Sequence, residues 1–186
     1  MKRSFDLLFT LILLIILAIP LLIISIWIKL DSKGPVLFKQ KRKGQYDQYF
    51  EIYKFRTMVT DTPNVATDQL QDPSQFITKS GKFLRMTSLD ELPQLFNILK
   101  GEMSFVGPRP ALYNQFNLIE QRDSHNVHTV KPGLTGYAQI NGRDFITDEE
   151  KVNFDAFYVQ NQTFQLDCQI IWKTISAVVV KKGIQQ

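Results

Sequence analysis

Leu7 to Ile28 is a run of 22 residues without a charge, and 17 of them are Leu, Ile or Phe. Nothing else in the chain restricts its fold as much. A helix in the core of a small soluble domain keeps one polar face, whereas only Thr10 and Ser25 interrupt this run. Each Leu, Ile or Phe near a bilayer centre contributes about −0.3 to −0.6 kcal/mol to insertion, so the run as a whole contributes about −5 to −10 kcal/mol. A cleaved signal peptide would have an apolar region of only about 7–15 residues, followed by a small-residue cleavage site. Ile26-Trp27-Ile28-Lys29-Leu30-Asp31 offers no such site. The run is therefore expected to enter a membrane, with lipids as its partners.

A straight helix of this length would reach about 33 Å, just enough for a hydrocarbon core of about 30 Å. Pro20 removes a helical hydrogen bond inside it and bends the rod. The stretches on either side would reach only about 20 and 12 Å, so neither crosses alone. Lys2 and Arg3 precede the run, and Lys29, Lys33, Lys39, Lys41, Arg42 and Lys43 follow it. Cations at both ends favour a re-entrant hairpin that enters and leaves on the cytoplasmic side of the inner membrane, and a straight anchor stays open as the alternative. Either way the rest of the chain is expected in the cytoplasm. Residues 1–29 are read as the membrane-inserted segment and residues 30–186 as one globular unit.

Residues 1–56 hold ten cations and four anions, while residues 57–186 hold twelve and fourteen. The positive charge belongs to the membrane end, which excludes a uniformly basic nucleic-acid binder. Cys168 is the only cysteine, so a disulfide framework and a Cys-cluster zinc site are excluded as well.

Val36–Phe38 and Phe50–Tyr53 read as short strands around a polar loop, and residues 60–75, with Pro63 and Pro73, as an exposed loop. Pro93 to Lys100 reads as a short helix stopped by Gly101. Residues 112–128 and 148–162 also read as helical. Leu166–Lys182 has helical spacing that suits either an amphipathic helix on the membrane surface or a core-facing one. The fold class is α+β and mostly helical, with a Pro-broken re-entrant membrane helix, short strands and surface amphipathic helices.

Chemistry concentrates at Arg85-Met86-Thr87-Ser88-Leu89-Asp90-Glu91-Leu92-Pro93-Gln94. Ser88-Leu89-Asp90-Glu91 matches a capping box, in which the two acids would merely complement a helix dipole. Pro93 disturbs that reading, because a helix starting at Ser88 needs the donor that Pro93 lacks. A helix starting at Pro93 instead leaves Asp90 and Glu91 in the preceding turn, free to point outward. Three turn-forming segments each carry fixed cations: Lys54 to Met58 with Arg56, Gly107 to Pro110 with Arg109, and Lys131 to Arg143. Backbone amides in such turns, together with planar guanidinium groups, suit diphosphates. His125 and His128 lack a third metal ligand and read as ordinary surface or structural residues.

Ser88 to Asn97, Gly101 to Pro110 and Lys131 to Gly136 together resemble the bacterial sugar transferases, the monotopic phosphoglycosyl transferases, over residues 2 to 180. Ile19-Pro20 stands where many of these have Ser-Pro, and Tyr137 where Trp is frequent. The resemblance implies transfer of a phosphosugar from a UDP-sugar to undecaprenyl (polyprenol) phosphate, with release of UMP and a requirement for Mg²⁺. It implies that Asp90 is the nucleophile, forming a covalent phosphosugar intermediate, and that Glu91 beside it helps hold the metal. The resemblance implies that Arg85, Arg109, Arg143 and Asp155 occupy family positions associated with the active site, and with Lys54 and Arg56 from the first cationic turn they make up the substrate-binding candidates. A homodimer is left open.

Electrostatics supports such a site independently. A sugar diphosphate, a lipid phosphate and two carboxylates repel by about 4 kcal/mol per unit charge pair at 4 Å and an effective dielectric of 20, so they need a divalent cation and arginines. Oxygen-only acidic ligands favour Mg²⁺ over zinc. Two other readings compete. One is a membrane-bound nucleoside diphosphate sugar hydrolase, with water as acceptor. The other is a non-catalytic scaffold that binds polyanions.

Overall fold

The computed structural model describes residues 2–46, 48–63, 72–142 and 146–179. Helix α1 runs Lys2–Asp31 and contains Pro20. Helix geometry continues on both sides of the proline, so the two stretches expected from the sequence form one element. Its inward stripe recurs at spacings of three and four: Asp6 and Thr10 are buried, Leu13, Leu14 and Leu17 pack on one core, and Leu21, Ile24 and Ile28 on another. The other faces are bare, with Ile15 78%, Ile19 71% and Leu30 81% exposed. An apolar surface this continuous marks a membrane-associated element. A core helix would be mostly buried, yet only 11% of the most apolar part of α1 is.

Both ends of α1 are held on the same body. Lys2 Nζ meets the Asp167 carboxylate at 2.5 Å, and Arg3 donates to the carbonyls of Ile98 and Leu99 at 2.6 and 2.9 Å. Those carbonyls close helix α3 (Gln94–Lys100), where a cation complements the helix dipole. At the other end Asp31 accepts from the backbone N–H and hydroxyl of Ser80, at 2.9 and 2.8 Å. Ser80 lies in the first turn of α2 (Lys79–Thr87), where an anion is favoured.

Strands β1 (Leu37–Lys43) and β2 (Tyr49–Phe55) pair antiparallel with Lys39 opposite Tyr53 and Arg42 opposite Phe50. They are longer than the sequence reading because polar Lys39, Lys41 and Lys43 extend β1 beyond its apolar start. A second, parallel pair was not expected: β3 (Ser104–Val106) lies beside β4 (Gly133–Thr135). Its strands are three residues long and carry no alternation to read. A Cβ at Gly133 would collide with the backbone of Gly107 and Thr135, so glycine permits the close approach.

Helices α4 (Phe116–Ser124), α5 (Tyr137–Ile140), α6 (Asp148–Gln160) and α7 (Phe164–Val179) complete the body. The helix expected at 112–128 is confined to α4 and a 3-10 turn at Val127–Thr129, because Asn126 takes a left-handed conformation, φ 57°. Thr147 and Glu150 form a capping box on α6. On α7, Ile170 is fully buried while Trp172 is 71% exposed, so one face meets the core, as the core-facing reading expects, and the other is exposed. Of the expected loop at 60–75, residues 64–71 lie outside the described residues, and Pro73–Gln75 is a 3-10 turn.

Candidate active site

The capping-box reading of Ser88-Leu89-Asp90-Glu91 does not hold. Ser88 has φ 58°, the left-handed cap that ends α2, and its side chain makes no capping bond. Leu89–Glu91 is a 3-10 turn, and α3 begins at Gln94 with Pro93 as its cap. Asp90 and Glu91 therefore sit at the corner between α2 and α3, ahead of the helix, as the proline reading requires. Gly101, φ 88°, closes α3.

Three elements bring cations to this corner. β2 supplies Lys54, whose Nζ lies 2.7 Å from Glu91 Oε1. The turn after β3 supplies Arg109, whose Nη2 lies 3.0 Å from the same oxygen. The last turn of α2 supplies Arg85, whose Nε donates to Thr57 Oγ1 at 2.9 Å and whose charge acts on Asp90. Thr57 follows β2, so one segment both contributes Lys54 and aims Arg85. Glu91 and Lys54 are each 18% exposed and Arg109 47%, which leaves Arg109 able to turn toward a ligand.

The neighbouring carboxyls are driven in opposite directions. Burial pushes Asp90 up from the usual carboxylate range, and Lys54, Arg85 and Arg109 offset this only in part while Glu91 adds to it. Burial acts on Glu91 too, but Lys54 and Arg109, through charge and direct hydrogen bonds, hold its carboxyl well below that range. Glu91 is thus a fixed anion. Asp90 is a poorly solvated carboxylate, the state that favours nucleophilic use of its oxygen.

Other candidates fall elsewhere. Arg56 is 4% exposed and turned away from the corner, with Nη2 donating to the Ser32 carbonyl at 2.8 Å and its hydroxyl at 2.9 Å at the end of α1. Asp155 is 1% exposed in the interior and meets Arg122 Nη2 at 2.6 Å, so it lies behind Arg109 rather than beside the acids. Arg143 lies outside the described residues. His128 bonds Asp123 at 2.6 Å and His125 the Gln121 carbonyl at 2.9 Å, as ordinary structural residues do.

Two cations near the corner are not among the site candidates, Arg42 figuring in the sequence only as a flank of the apolar run. Arg42, opposite Phe50, donates to the Pro110 carbonyl at 3.0 Å and carries a pKa lowered to about 10 by burial and by Arg109. Arg122 donates to the Arg109 carbonyl at 2.8 Å. A signal for Arg122 exists: it lies three and four residues beyond Ile119 and Leu118, on the apolar face of α4.

Among the described residues no group of three or more His, Cys, Asp and Glu gathers to cage a metal. Two adjacent carboxylates whose charged neighbours are Lys54, Arg85 and Arg109 rather than His or Cys suit Mg²⁺, which is bound through one or two carboxylates, water and substrate phosphates. They do not suit zinc.

Residues 1–181 match the bacterial sugar transferase family. Over its whole length the chain is 44% identical to the uncharacterized sugar transferase EpsL of Bacillus subtilis (strain 168) and covers 91% of it. It is 37% identical to the exopolysaccharide production protein ExoY of Sinorhizobium fredii, with 98% of this chain and 87% of that protein aligned. It is also 41% identical to the undecaprenyl-phosphate glucose phosphotransferase of Komagataeibacter xylinus, with 98% of this chain but only 36% of that longer protein aligned.

Proposed function

As the chain belongs to the bacterial sugar transferase family, we propose that it moves a phosphosugar from a UDP-sugar to undecaprenyl phosphate, releasing UMP, through a covalent intermediate on Asp90. This would be the first membrane step of glycoconjugate assembly. The observation that carries the reading is the corner itself, where a half-buried, poorly solvated carboxylate stands beside a fixed anion and within the field of Lys54, Arg85 and Arg109.

The reaction has two displacements. In the first, a carboxyl oxygen of Asp90 attacks the sugar-bearing phosphorus, the bond from that phosphorus to the UMP oxygen breaks, and UMP departs. In the second, a phosphate oxygen of undecaprenyl phosphate attacks the same phosphorus and the Asp90 carboxylate is restored. Dividing the transfer this way keeps the two anionic substrates from meeting. Lys54 and Arg109 hold Glu91 ionised, and the half-exposed Arg109 and Arg85 balance the phosphoryl charge. Asp90 and Glu91 would hold Mg²⁺, which when bound neutralises diphosphate oxygens. Placement beside α1 suits a lipid acceptor, since α1 would lie re-entrant in the inner membrane with the body on the cytoplasmic face. An acceptor confined to the bilayer then finds the site by diffusion in two dimensions.

The test is nucleotide release from a panel of UDP-sugars by the full chain in lipid nanodiscs. UMP release that requires undecaprenyl phosphate and Mg²⁺ supports transfer. Sustained release at full rate without undecaprenyl phosphate would replace it with hydrolysis.

A further inference from the structure

Arg109 stands between two prolines, and the turn that carries it is fastened at four consecutive carbonyls. Pro108 O accepts from Gly133 N at 2.9 Å, Arg109 O from Arg122 Nη1 at 2.8 Å, Pro110 O from Arg42 Nη1 at 3.0 Å, and Ala111 O from Lys43 N at 3.0 Å. Pro108 and Pro110 donate no hydrogen bond of their own and restrict the backbone around Arg109. The direction in which Arg109 leaves the chain is therefore set by what holds these oxygens. At Arg109 itself the holder is Arg122.

Arg122 uses its fork in two directions. Nη1 grips the Arg109 carbonyl, and Nη2 meets Asp155 Oδ2 at 2.6 Å. The pair is sealed, at 4% and 1% side-chain exposure, yet among the described residues Arg122 Nε and Asp155 Oδ1 find no hydrogen-bond partner. A buried ion pair with unsatisfied atoms is a poor stabilising device, since apolar residues of similar volume serve as well or better. From this we infer that Arg122 is a positioning residue for the transfer: it fixes the carbonyl of Arg109 so that the guanidinium meets Glu91, and Asp155 acts through it as the counter-charge that keeps Arg122 in the interior. Asp155 then contributes without touching substrate. The inference rests on the proposed function above.

The experiment compares wild type with Arg109→Ala, Arg122→Met, Arg122→Lys, Asp155→Asn and the Arg109→Ala/Arg122→Met double variant, all as full chains in nanodiscs. UMP release and amide exchange across residues 105–113 are read for each. Misplacing a charged group by about 1 Å costs on the order of 100-fold, so Arg122→Met should lower kcat/KM by about 10- to 100-fold. In the Arg109→Ala background the same change should cost less than about twofold, because two groups acting as one unit are not additive. Arg122→Lys should recover only part, since one ammonium replaces a two-pronged fork. Exchange should quicken across 105–113 and stay unchanged in α1. Equal losses in both backgrounds, or wild-type exchange in that turn, would overturn the inference. Should Arg122→Met not fold, Arg122→Lys and Asp155→Asn decide by the same two measurements. A wild type that releases no UMP overturns the functional reading instead, and exchange then decides the positioning claim alone.

Discussion

The protein contains two clusters of opposite charge built on contrasting plans. At the corner before α3, one Glu91 oxygen is shared by Lys54 and Arg109, at 2.7 and 3.0 Å, with Arg109 47% exposed. Inside the body, Asp155 and Arg122 meet one to one at 2.6 Å, with side chains 1% and 4% exposed. The corner gathers more cationic capacity than its acids need and leaves it in reach of solvent. The interior pair is closed to any visitor. A ligand site keeps surplus charge where a newcomer can take it up, whereas a scaffold pair commits its charge to one geometry.

The strongest way to break this contrast is at Asp90. Asp90→Asn should lower UMP release by about 10³-fold or more and abolish any phosphosugar adduct detected by mass spectrometry. Folding already disfavours the charged form of Asp90, so its neutral replacement should leave the melting temperature unchanged or higher. Retained turnover would remove the proposed nucleophile. At the interior pair the signs reverse. Asp155→Leu strands Arg122 without a counter-charge and should cost about 3–5 kcal/mol in denaturant unfolding, whereas Arg122→Met/Asp155→Leu should come within about 1 kcal/mol of wild type or exceed it. If the double variant is as unstable as the single, the pair is itself a net stabiliser.

A third substitution sharpens the comparison. Glu91→Gln frees Lys54 and Arg109 and should lower UMP release by about 10- to 100-fold, a loss of one electrostatic contact in the transition state. It should also lower stability, by about 1–3 kcal/mol in denaturant unfolding, because Lys54 is only 18% exposed and the fold favours the ionised form of Glu91.

The smallest effect concerns His128. Burial lowers its pKa from the ordinary 6.5, and the bond to Asp123 offsets this only in part. A base with a lowered folded pKa is protonated more readily when unfolded, so its contribution is present above pH 6.5 and lost as pH falls below it. His128→Gln should flatten the acid side of the melting-temperature profile, and an unchanged profile would contradict the assignment.

Long-range periodicity and local chain chemistry were readable in the sequence; packing was not. Leu7–Ile28 announces α1 because an uncharged run of that length has few alternatives. Pro93 decides against the capping box at Ser88 because a missing donor is a local fact, and the structure agrees. The pairing of β3 with β4 left no trace, since three-residue strands have no pattern and a glycine contact depends on what approaches it. Arg56 entered as the cation of a turn-forming segment and Asp155 through the family resemblance, and neither route carries a contact. Only burial shows that the first binds the end of α1 and the second binds Arg122.

The two moorings of α1, Lys2 on Asp167 and Asp31 on Ser80, have a mechanical consequence. A helix tied at its beginning and its end to one folded mass cannot swing as a tether would. Its bare apolar side is carried as a rigid edge of the body, at a fixed height and angle to the corner that holds Asp90 and Glu91.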